Sequence, residues 1–189
     1  MNEDARMLSQ DLRTEHFRQS MRRVASTACV ISCMHGGRRY GITVTWVTSL
    51  SFAPISILAC VNRNSSICVP LEEEGHYCIN VLRASQADIS DAFSGARPAE
   101  RRFDIGEWSE RGGVPYLQSA QANLFCELDQ ALACATHDII FGRLAGVAFA
   151  SDADPLVYQN GAYALTSPLV LQKAGQDCSP TSTAVAEGS

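Results

Sequence analysis

Hydroxyl side chains at alternate positions are the first feature of the sequence that could do chemistry. Successive side chains of an extended strand point to opposite faces, so residues 40–51 divide into two sets. The apolar set is Tyr40, Ile42, Val44 and Trp46, and the other set is Gly41, Thr43, Thr45, Val47, Ser49 and Ser51. A hydroxyl-lined face suits a polar ligand. A half-solvated antiparallel strand has the same pattern, and from this strand alone that plainer interpretation is favoured.

A polar segment at residues 60–66 offers a second set of donors. Asn62, Ser65 and Ser66 follow an apolar run. A chain reversal there would present backbone N–H groups and hydroxyls, which is how many proteins bind phosphate. An Asn-Ser turn without any ligand remains the alternative.

One histidine and one arginine pair are further candidates. His137 stands at the start of a predicted strand, where a lone histidine is usually a hydrogen-bonded structural residue. Asp138 follows it, but neighbouring strand residues point to opposite faces, so we expect no contact between the two side chains. Arg101 and Arg102 lie in a long predicted loop, residues 94–116, as part of a basic-aromatic RRF triplet, and either a ligand clamp or a solvated loop fits them.

The elements that must position these residues are mostly strands. The spacing of Phe17, Met21 and Val24 predicts a helix from Thr14 to about Ala25. Pro70 to Glu74, with Pro70 at the first helical position, and Gln86 to Phe93 are predicted as short helices. Strands are predicted at residues 28–34, 40–51, 56–62, 76–82, 121–132, 137–150 and 156–165. No GxGxxG follows a strand, and the pattern favours an antiparallel barrel with a few helices.

Composition argues against nucleic-acid-binding, membrane-spanning, secreted and metal-binding proteins. The net charge is -5, and the sequence has no stripe of basic residues. We therefore expect no nucleic-acid partner. No run is apolar and long enough to span a bilayer, and the N-terminal residues do not resemble a signal peptide. None of the eight cysteines forms a CxxC pair, so we expect free thiols, no metal site and a cytoplasmic location. A zinc site from Cys29, Cys33 and His35 is a weak alternative.

Four blocks in order resemble the short-chain flavin reductases. They are GITVTWVTSLS at 41–51, CVNRNSS at 60–66, YCINVL at 77–82 and THDIIFG at 136–142. The resemblance extends from about Phe17 to Leu165. It is greatest to the reductase components of 4-hydroxyphenylacetate 3-monooxygenase and of the pyrimidine-utilisation pathway.

The resemblance implies a mainly β fold, the FMN-binding split β-barrel, which is a Greek key with a few short helices and works as a homodimer. The domain would cover residues 14–170, with flexible tails at 1–13 and 172–189. The implied activity is reduction of FMN or FAD by NADH or NADPH, supplying a flavin-dependent monooxygenase component. A non-catalytic flavin-binding protein for storage or electron relay is the first alternative, and a flavin-free barrel used as a scaffold is the second.

The resemblance also implies the site residues. His137 would lie at the flavin face near the nicotinamide. The flavin-contacting residues would be Thr43, Val44, Thr45, Ser49, Leu50, Ser51, Asn62, Ser65, Ser66, Phe93, Ser94 and Phe103. Phe93 has a second interpretation as a core anchor, since phenylalanine is usually buried.

Four positions depart from the family pattern, and the departures at Val44 and Thr48 are harmless. Trp46 stands where relatives usually have a small residue, and strand alternation predicts that it joins the apolar face, away from the pocket. Ala135 replaces a glycine two residues before His137, which puts the local turn in doubt because alanine tolerates positive φ poorly.

Overall fold

The structure, a computed structural model, describes residues 10–169 and is dominated by β-strands. Three α-helices are present in this range: α1 (Gln10–Met21), α2 (Cys68–Glu74) and α3 (Ala87–Asp91). A 3-10 turn at Ala84–Gln86 precedes α3, a π-helical turn at Ala92–Ala96 follows it, and a 3-10 helix spans Ala99–Asp104.

The strands lie in three sheets. In chain order they are β1 (Ser26–Thr27), β2 (Cys29–His35), β3 (Arg38–Val44), β4 (Val47–Phe52), β5 (Ile55–Asn62), β6 (His76–Val81), β7 (Trp108–Arg111), β8 (Val114–Leu117), β9 (Ala122–Cys134), β10 (His137–Phe149), β11 (Val157–Gln159) and β12 (Ala162–Ala164). The main sheet has the order β3-β2-β6-β9-β10-β5-β4, and every neighbouring pair in it is antiparallel. Strands β1, β11 and β12 form a small second sheet, and β7 and β8 form a hairpin.

The main sheet curls so that its edges approach each other. Consecutive strands β3 and β4 lie at opposite edges of the sheet, so the chain crosses between the edges at Thr45 and Trp46. The amide of Cys60 on β5 donates a hydrogen bond to the Trp46 carbonyl at 3.1 Å. Consecutive strands β5 and β6 are separated by β9 and β10, a connection of the Greek-key kind. The predicted mainly β split barrel is therefore confirmed.

The crossing corrects the predicted strand at 40–51. Strand β3 ends at Val44 and β4 begins at Val47, so the alternation is interrupted rather than continuous. Val47 and the residues after it pair with β5 instead of β2, and the β4–β5 register shifts between Ser49 and Ser51. A period-2 pattern does not reveal a crossing, because each half alternates correctly by itself.

Other boundaries also differ from the sequence predictions. Helix α1 begins at Gln10, four residues early, and α2 begins at Cys68, so that Pro70 is its third residue. The predicted loop at 94–116 contains a 3-10 helix and the β7–β8 hairpin, whose turn is Gly112-Gly113. The predicted last strand is the β11–β12 hairpin, with Asn160-Gly161 at its turn. Most of the predicted tails lie outside the described residues.

The two larger of the three apolar clusters in residues 10–169 support the sheet. The barrel interior contains fully buried Ile31, Tyr77 and Ile79. The second cluster lies under residues 84–96, the α3 helix with the turns on either side of it, which we call the α3 segment. Here Phe93, Phe103 and Trp108 pack ring against ring with centroids 4.7–5.3 Å apart. This aromatic group fixes the helical segment against β3.

Gly41 on β3 makes this contact possible. A β-carbon at this position would lie 2.5 Å from Cε1 of Phe93. The absence of a side chain therefore lets the Phe93 ring lie directly on the strand.

The described cysteines and helices bear on disulfides, metal binding and membrane insertion. Every described cysteine is a free thiol, and within residues 10–169 no group of three or more His, Cys, Asp or Glu side chains is placed to hold a metal ion. In the same range, none of the helices has the length and apolar character that crossing a membrane would require.

Candidate active site

An open cleft of about 390 Å³ lies where the chain leaves β3 and crosses to β4. The other walls come from the ends of β5 and β10, from the α3 segment and from the β11–β12 hairpin. Its lining residues include Ile42, Thr43, Val44, Thr45, Trp46, Cys60, Asn62, Ser90, Asp91, Ser94, His137, Tyr158 and Tyr163. This volume is within the usual range for small-molecule sites.

Strand β3 and the α3 segment are joined through one backbone carbonyl. Thr43 Oγ1 donates to the Ser90 carbonyl oxygen at 2.7 Å, and Ser94 Oγ donates to the same oxygen at 2.8 Å. Both hydroxyls keep lone pairs that accept a hydrogen bond from a ligand. The hydroxyl of Ser90 is buried beneath this wall, on the side of Tyr163. The wall is thus polar and held in place by its own contacts.

Asn62 and His137 come together at the opposite side of the cleft. They are directly opposed on the antiparallel strands β5 and β10. Asn62 forms the predicted chain reversal: its Oδ1 accepts from the Asn64 amide at 2.9 Å, and its carbonyl accepts from the Ser65 amide at 2.9 Å. The side-chain NH₂ of Asn62 has no recorded partner within residues 10–169, so this donor is available to a ligand.

His137 is exposed, and its Nδ1 lies 2.9 Å from Thr136 Oγ1. As expected from strand alternation, Asp138 points to the other side of the sheet. There it is buried and pairs with Arg63, with 3.3 Å between Arg63 Nε and Asp138 Oδ1. The imidazole is therefore oriented by a hydroxyl and not by a carboxylate.

Sequence reasoning missed a phenol–carboxylate pair in the cleft wall. Tyr163 on β12 donates its hydroxyl to Asp91 Oδ1 at 2.6 Å. Burial, together with the hydrogen bond to the Asp91 carboxylate, raises the pKa of Tyr163. The two residues are 72 positions apart in the chain, and no pattern in the sequence connects them.

Trp46 corrects a second prediction. The indole lines the cleft and also an adjoining cavity of about 480 Å³ beneath α1, and its side chain is half exposed. The expected place on an apolar face was wrong because Trp46 belongs to the crossing segment and not to a strand. The indole borders the cleft and leaves it open.

The cleft gathers only part of the predicted site. Thr43, Val44, Thr45, Asn62, Ser94 and His137 line it, and seven other candidates do not. Ser49, Leu50 and Ser51 lie on β4 beyond the crossing. Ser65 contacts Cys68 Sγ at 3.2 Å, and Ser66 lines a different cavity. Phe93 and Phe103 belong to the buried aromatic group, in agreement with the core interpretation of Phe93.

The fold and the cleft together define a class of protein, a small-molecule-binding split barrel. A family model described as "Flavin reductase like domain" matches residues 21–167. Because this match covers most of the sequence, the chain belongs to the flavin reductase-like family.

Two curated relatives are similar over most of their length. The reductase component of the FADH(2)-dependent resorcinol hydroxylase of Rhizobium sp. (strain MTP-10005) is 38% identical over 157 residues, which are 82% of this chain and 88% of the relative. The FMN reductase (NADH) RutF of Pseudomonas syringae pv. syringae is 37% identical over 144 residues, which are 75% and 80% of the two chains.

Two solved structures share the fold. BorF, the flavin reductase component of a bacterial two-component tryptophan halogenase, superposes with a TM-score of 0.75 at 26% identity, covering 82% of this chain and 99% of BorF. The flavin reductase domain protein of Arthrobacter sp. FB24 superposes with a TM-score of 0.78 at 24% identity, covering 84% and 99% of the two chains. The second likeness supports the fold alone.

The cleft residues fit a flavin. An isoalloxazine ring needs an apolar wall with a few donors and acceptors at its pyrimidine edge. Val44 and Trp46 offer the wall, while Thr45 and the side-chain NH₂ of Asn62 offer polar groups.

Proposed function

We propose that this chain is an NAD(P)H-dependent flavin reductase that reduces FMN or FAD for a separate flavin-dependent monooxygenase. The observation that carries the proposal is the convergence of Thr43, Asn62 and His137, from three different strands, on one open cleft. Family membership and the activities named for the relatives support the same reaction.

The residues have distinct roles in this proposal. Val44 and Trp46 form a wall for the ring system, and Thr45 and the Asn62 amide offer hydrogen bonds to its polar edge. The flavin, when bound, supplies the acceptor for hydride from the dihydronicotinamide. His137, at the exposed mouth, limits where the nicotinamide ring can lie.

Positioning is the main task of this cleft. Hydride transfer depends on stacking and close approach of two rings more than on a strong acid or base. His137 is held by the Thr136 hydroxyl, and the Tyr163–Asp91 pair braces the helical wall against β12. These contacts hold the cleft walls at fixed positions while substrates enter and leave.

We also propose a homodimer that covers strand β4. This edge strand and its turn expose Leu50, Phe52 and Ile55, with 53%, 83% and 51% of their surfaces accessible. Large exposed apolar side chains on an unpaired edge favour association. Light scattering should give the mass of two chains, and Phe52→Glu should yield a monomer. A wild-type monomer at micromolar concentration would refute this part.

The chain is also proposed to act in the cytoplasm. The described cysteines are all free, as expected in a reducing compartment.

A direct assay tests the main proposal. Purified protein is mixed with NADH or NADPH and with FMN or FAD, and absorbance is followed at 340 nm. The expected result is flavin-dependent loss of the reduced nicotinamide with at least one pair. The absence of such loss with all four pairs rejects the enzyme, and tight flavin retention in that case would indicate a non-catalytic flavin protein.

A further inference from the structure

The cleft wall contains one acidic side chain, Asp91, at the end of α3. Among the described residues that line the cleft, no other is acidic and none is lysine or arginine. The remaining polar groups there are hydroxyls, the Asn62 amide, the Cys60 thiol, the Trp46 indole and the His137 imidazole. The wall therefore presents a carboxylate to a ligand without a lysine or arginine beside it.

The partner of Asp91 is a neutral group. Its Oδ1 accepts a hydrogen bond from the Tyr163 hydroxyl at 2.6 Å. Within residues 10–169, no arginine or histidine nitrogen lies at ion-pairing distance from Asp91, whereas Asp138, on the other side of the sheet, is paired with Arg63 at 3.3 Å. A phenol that donates a hydrogen bond leaves the negative charge of the pair in place.

Contacts on two sides hold this carboxylate where it is. Thr43 Oγ1 donates to the carbonyl of Ser90, the residue before Asp91, at 2.7 Å. On the other side, the Tyr163 ring that binds the carboxylate packs edge-on against Tyr158, with centroids 5.6 Å apart. A charge that is fixed in this way acts on a ligand without first having to be oriented.

The proposed reaction changes the charge of the ring that would lie in the cleft. The hydride brings two electrons and one proton to a neutral oxidised flavin, and the nicotinamide leaves with one positive charge. The reduced ring therefore gains one negative charge unless it takes up another proton from the solvent. Protein charges near the ring favour one redox state over the other, and a carboxylate disfavours the state that is more negative.

The cleft is small enough for Asp91 to act on a bound ring. A compact space of about 390 Å³ is narrower than the Debye length, which is about 10 Å at 0.1 M salt. The Asp91 side chain is also exposed to water, which weakens its effect. We therefore expect a several-fold change in affinity between the two redox states.

From this arrangement we propose that Asp91 sets the redox preference of the cleft: its carboxylate weakens the binding of reduced flavin relative to oxidised flavin and so favours release of the product. This inference rests on the proposed function, because it assumes that the flavin ring occupies the cleft. By thermodynamic linkage, a lower relative affinity for the reduced form is also a lower reduction potential of the bound flavin. Asp91 acts through its charge and exchanges neither a proton nor an electron.

The Asp91→Asn variant tests the inference, because it removes the charge and keeps an oxygen that accepts from Tyr163. The Kd of oxidised FMN, and that of chemically reduced FMN without oxygen, are measured by quenching of protein fluorescence. The FMN phosphate is common to both forms and cancels in their ratio. We expect the ratio of the reduced to the oxidised Kd to fall about fivefold. A spectroelectrochemical titration should then give a midpoint potential of bound FMN that is about 20 mV higher, since tenfold corresponds to about 30 mV for two electrons.

Two further variants separate charge from structure. Asp88→Asn removes the same charge from the same helix, but Asp88 lines a different cavity, so the ratio should stay at the wild-type value. Tyr163→Phe breaks the hydrogen bond and keeps the carboxylate, so the ratio should stay at the wild-type value or rise. In the wild type, added salt should lower the ratio by screening, and Asp91→Asn should respond less.

The possible results distinguish this inference from the proposed function. A wild-type ratio in Asp91→Asn, or an equal fall in Asp88→Asn, would overturn the inference and leave the reductase proposal intact. An equal fall in Tyr163→Phe would show that the pair acts through structure and would also refute the inference. Failure of the wild type to bind oxidised FMN would instead overturn the proposed function.

Discussion

His137 and Asn62 lie directly opposite each other on two antiparallel strands, although 74 residues separate them in the chain. The pairing places a titratable ring and an amide donor at one side of the cleft. Directly opposed residues in an antiparallel sheet have their β-carbons about 5 Å apart. A ligand at this edge can therefore contact both side chains at once.

Replacing His137 should affect turnover more than flavin binding. The imidazole lies at the exposed mouth, so His137→Ala should keep flavin affinity within about twofold while kcat falls about tenfold from looser nicotinamide placement. Steady-state kinetics and flavin titration measure the two effects. His76→Ala is the control, because His76 is an exposed histidine outside the cleft, at the start of β6. Equal kcat values for the two variants would contradict the role assigned to His137.

Residue types and periodicity in the sequence predicted most strands and about half of the cleft residues. They did not predict the tertiary contacts that close the fold. The β2–β3 hairpin followed from its Gly-Gly turn, and the reversal at Asn62 followed from residue types. The crossing at Trp46 and the Tyr163–Asp91 pair depend on which sheet edges meet. Such tertiary relationships leave no periodic trace in the sequence, and the family resemblance supplied the cofactor but not these contacts.

Gly41→Ala should destabilise the protein. The added methyl group would lie 2.5 Å from Cε1 and 2.8 Å from Cδ1 of a buried Phe93 ring that is confined by its aromatic neighbours. Overpacking of this kind costs about 1–3 kcal/mol in the free energy of unfolding, measured by urea denaturation.

Gly146→Ala is the matched strand control, because the nearest atoms there belong to the end of the flexible Arg111 side chain, at 3.4 Å. It should cost clearly less. Adding Phe93→Leu to Gly41→Ala should recover part of the loss, and strictly additive effects would show that the two residues do not clash.

Ala135→Gly should stabilise the protein. Ala135 has a φ of 51°, while Thr136 does not have a positive φ, so the two-residue turn between β9 and β10 favours glycine at its first position. Relief of left-handed strain should raise the free energy of unfolding by about 1 kcal/mol. Asn160→Gly, also at positive φ, should gain less since asparagine tolerates this region. A loss of stability on Ala135→Gly would contradict the assignment of strain.

The buried thiols should resist alkylation in the folded protein. Burial raises the pKa of Cys29, Cys33 and Cys126 to about 12, from 9.0. Thiolates are the reactive species, so at pH 8 these residues should stay unlabelled by iodoacetamide while exposed Cys134 reacts. Because the folded pKa is raised, this contribution to stability is complete below pH 9.0 and is lost as the pH rises towards 12. Peptide mass spectrometry measures the labelling of each cysteine, with a denatured sample as the control in which all of them react. Labelling of Cys29, Cys33 or Cys126 as fast as that of Cys134 in the folded protein would contradict the prediction.

Trp46 should report directly on occupation of the cleft. The chain has two tryptophans, and only the half-exposed Trp46 lines the cleft, while Trp108 packs in the aromatic cluster and donates Nε1–H to the Ile105 carbonyl at 2.8 Å. A flavin stacked beside Trp46 should quench its emission by contact, so FMN should quench wild type and Trp108→Phe strongly. Trp46→Phe should lose most of that response while still binding FMN, as followed by flavin fluorescence. If Trp46→Phe is quenched as strongly as wild type, the ring does not lie against the crossing segment, and the wall assigned to Trp46 is wrong.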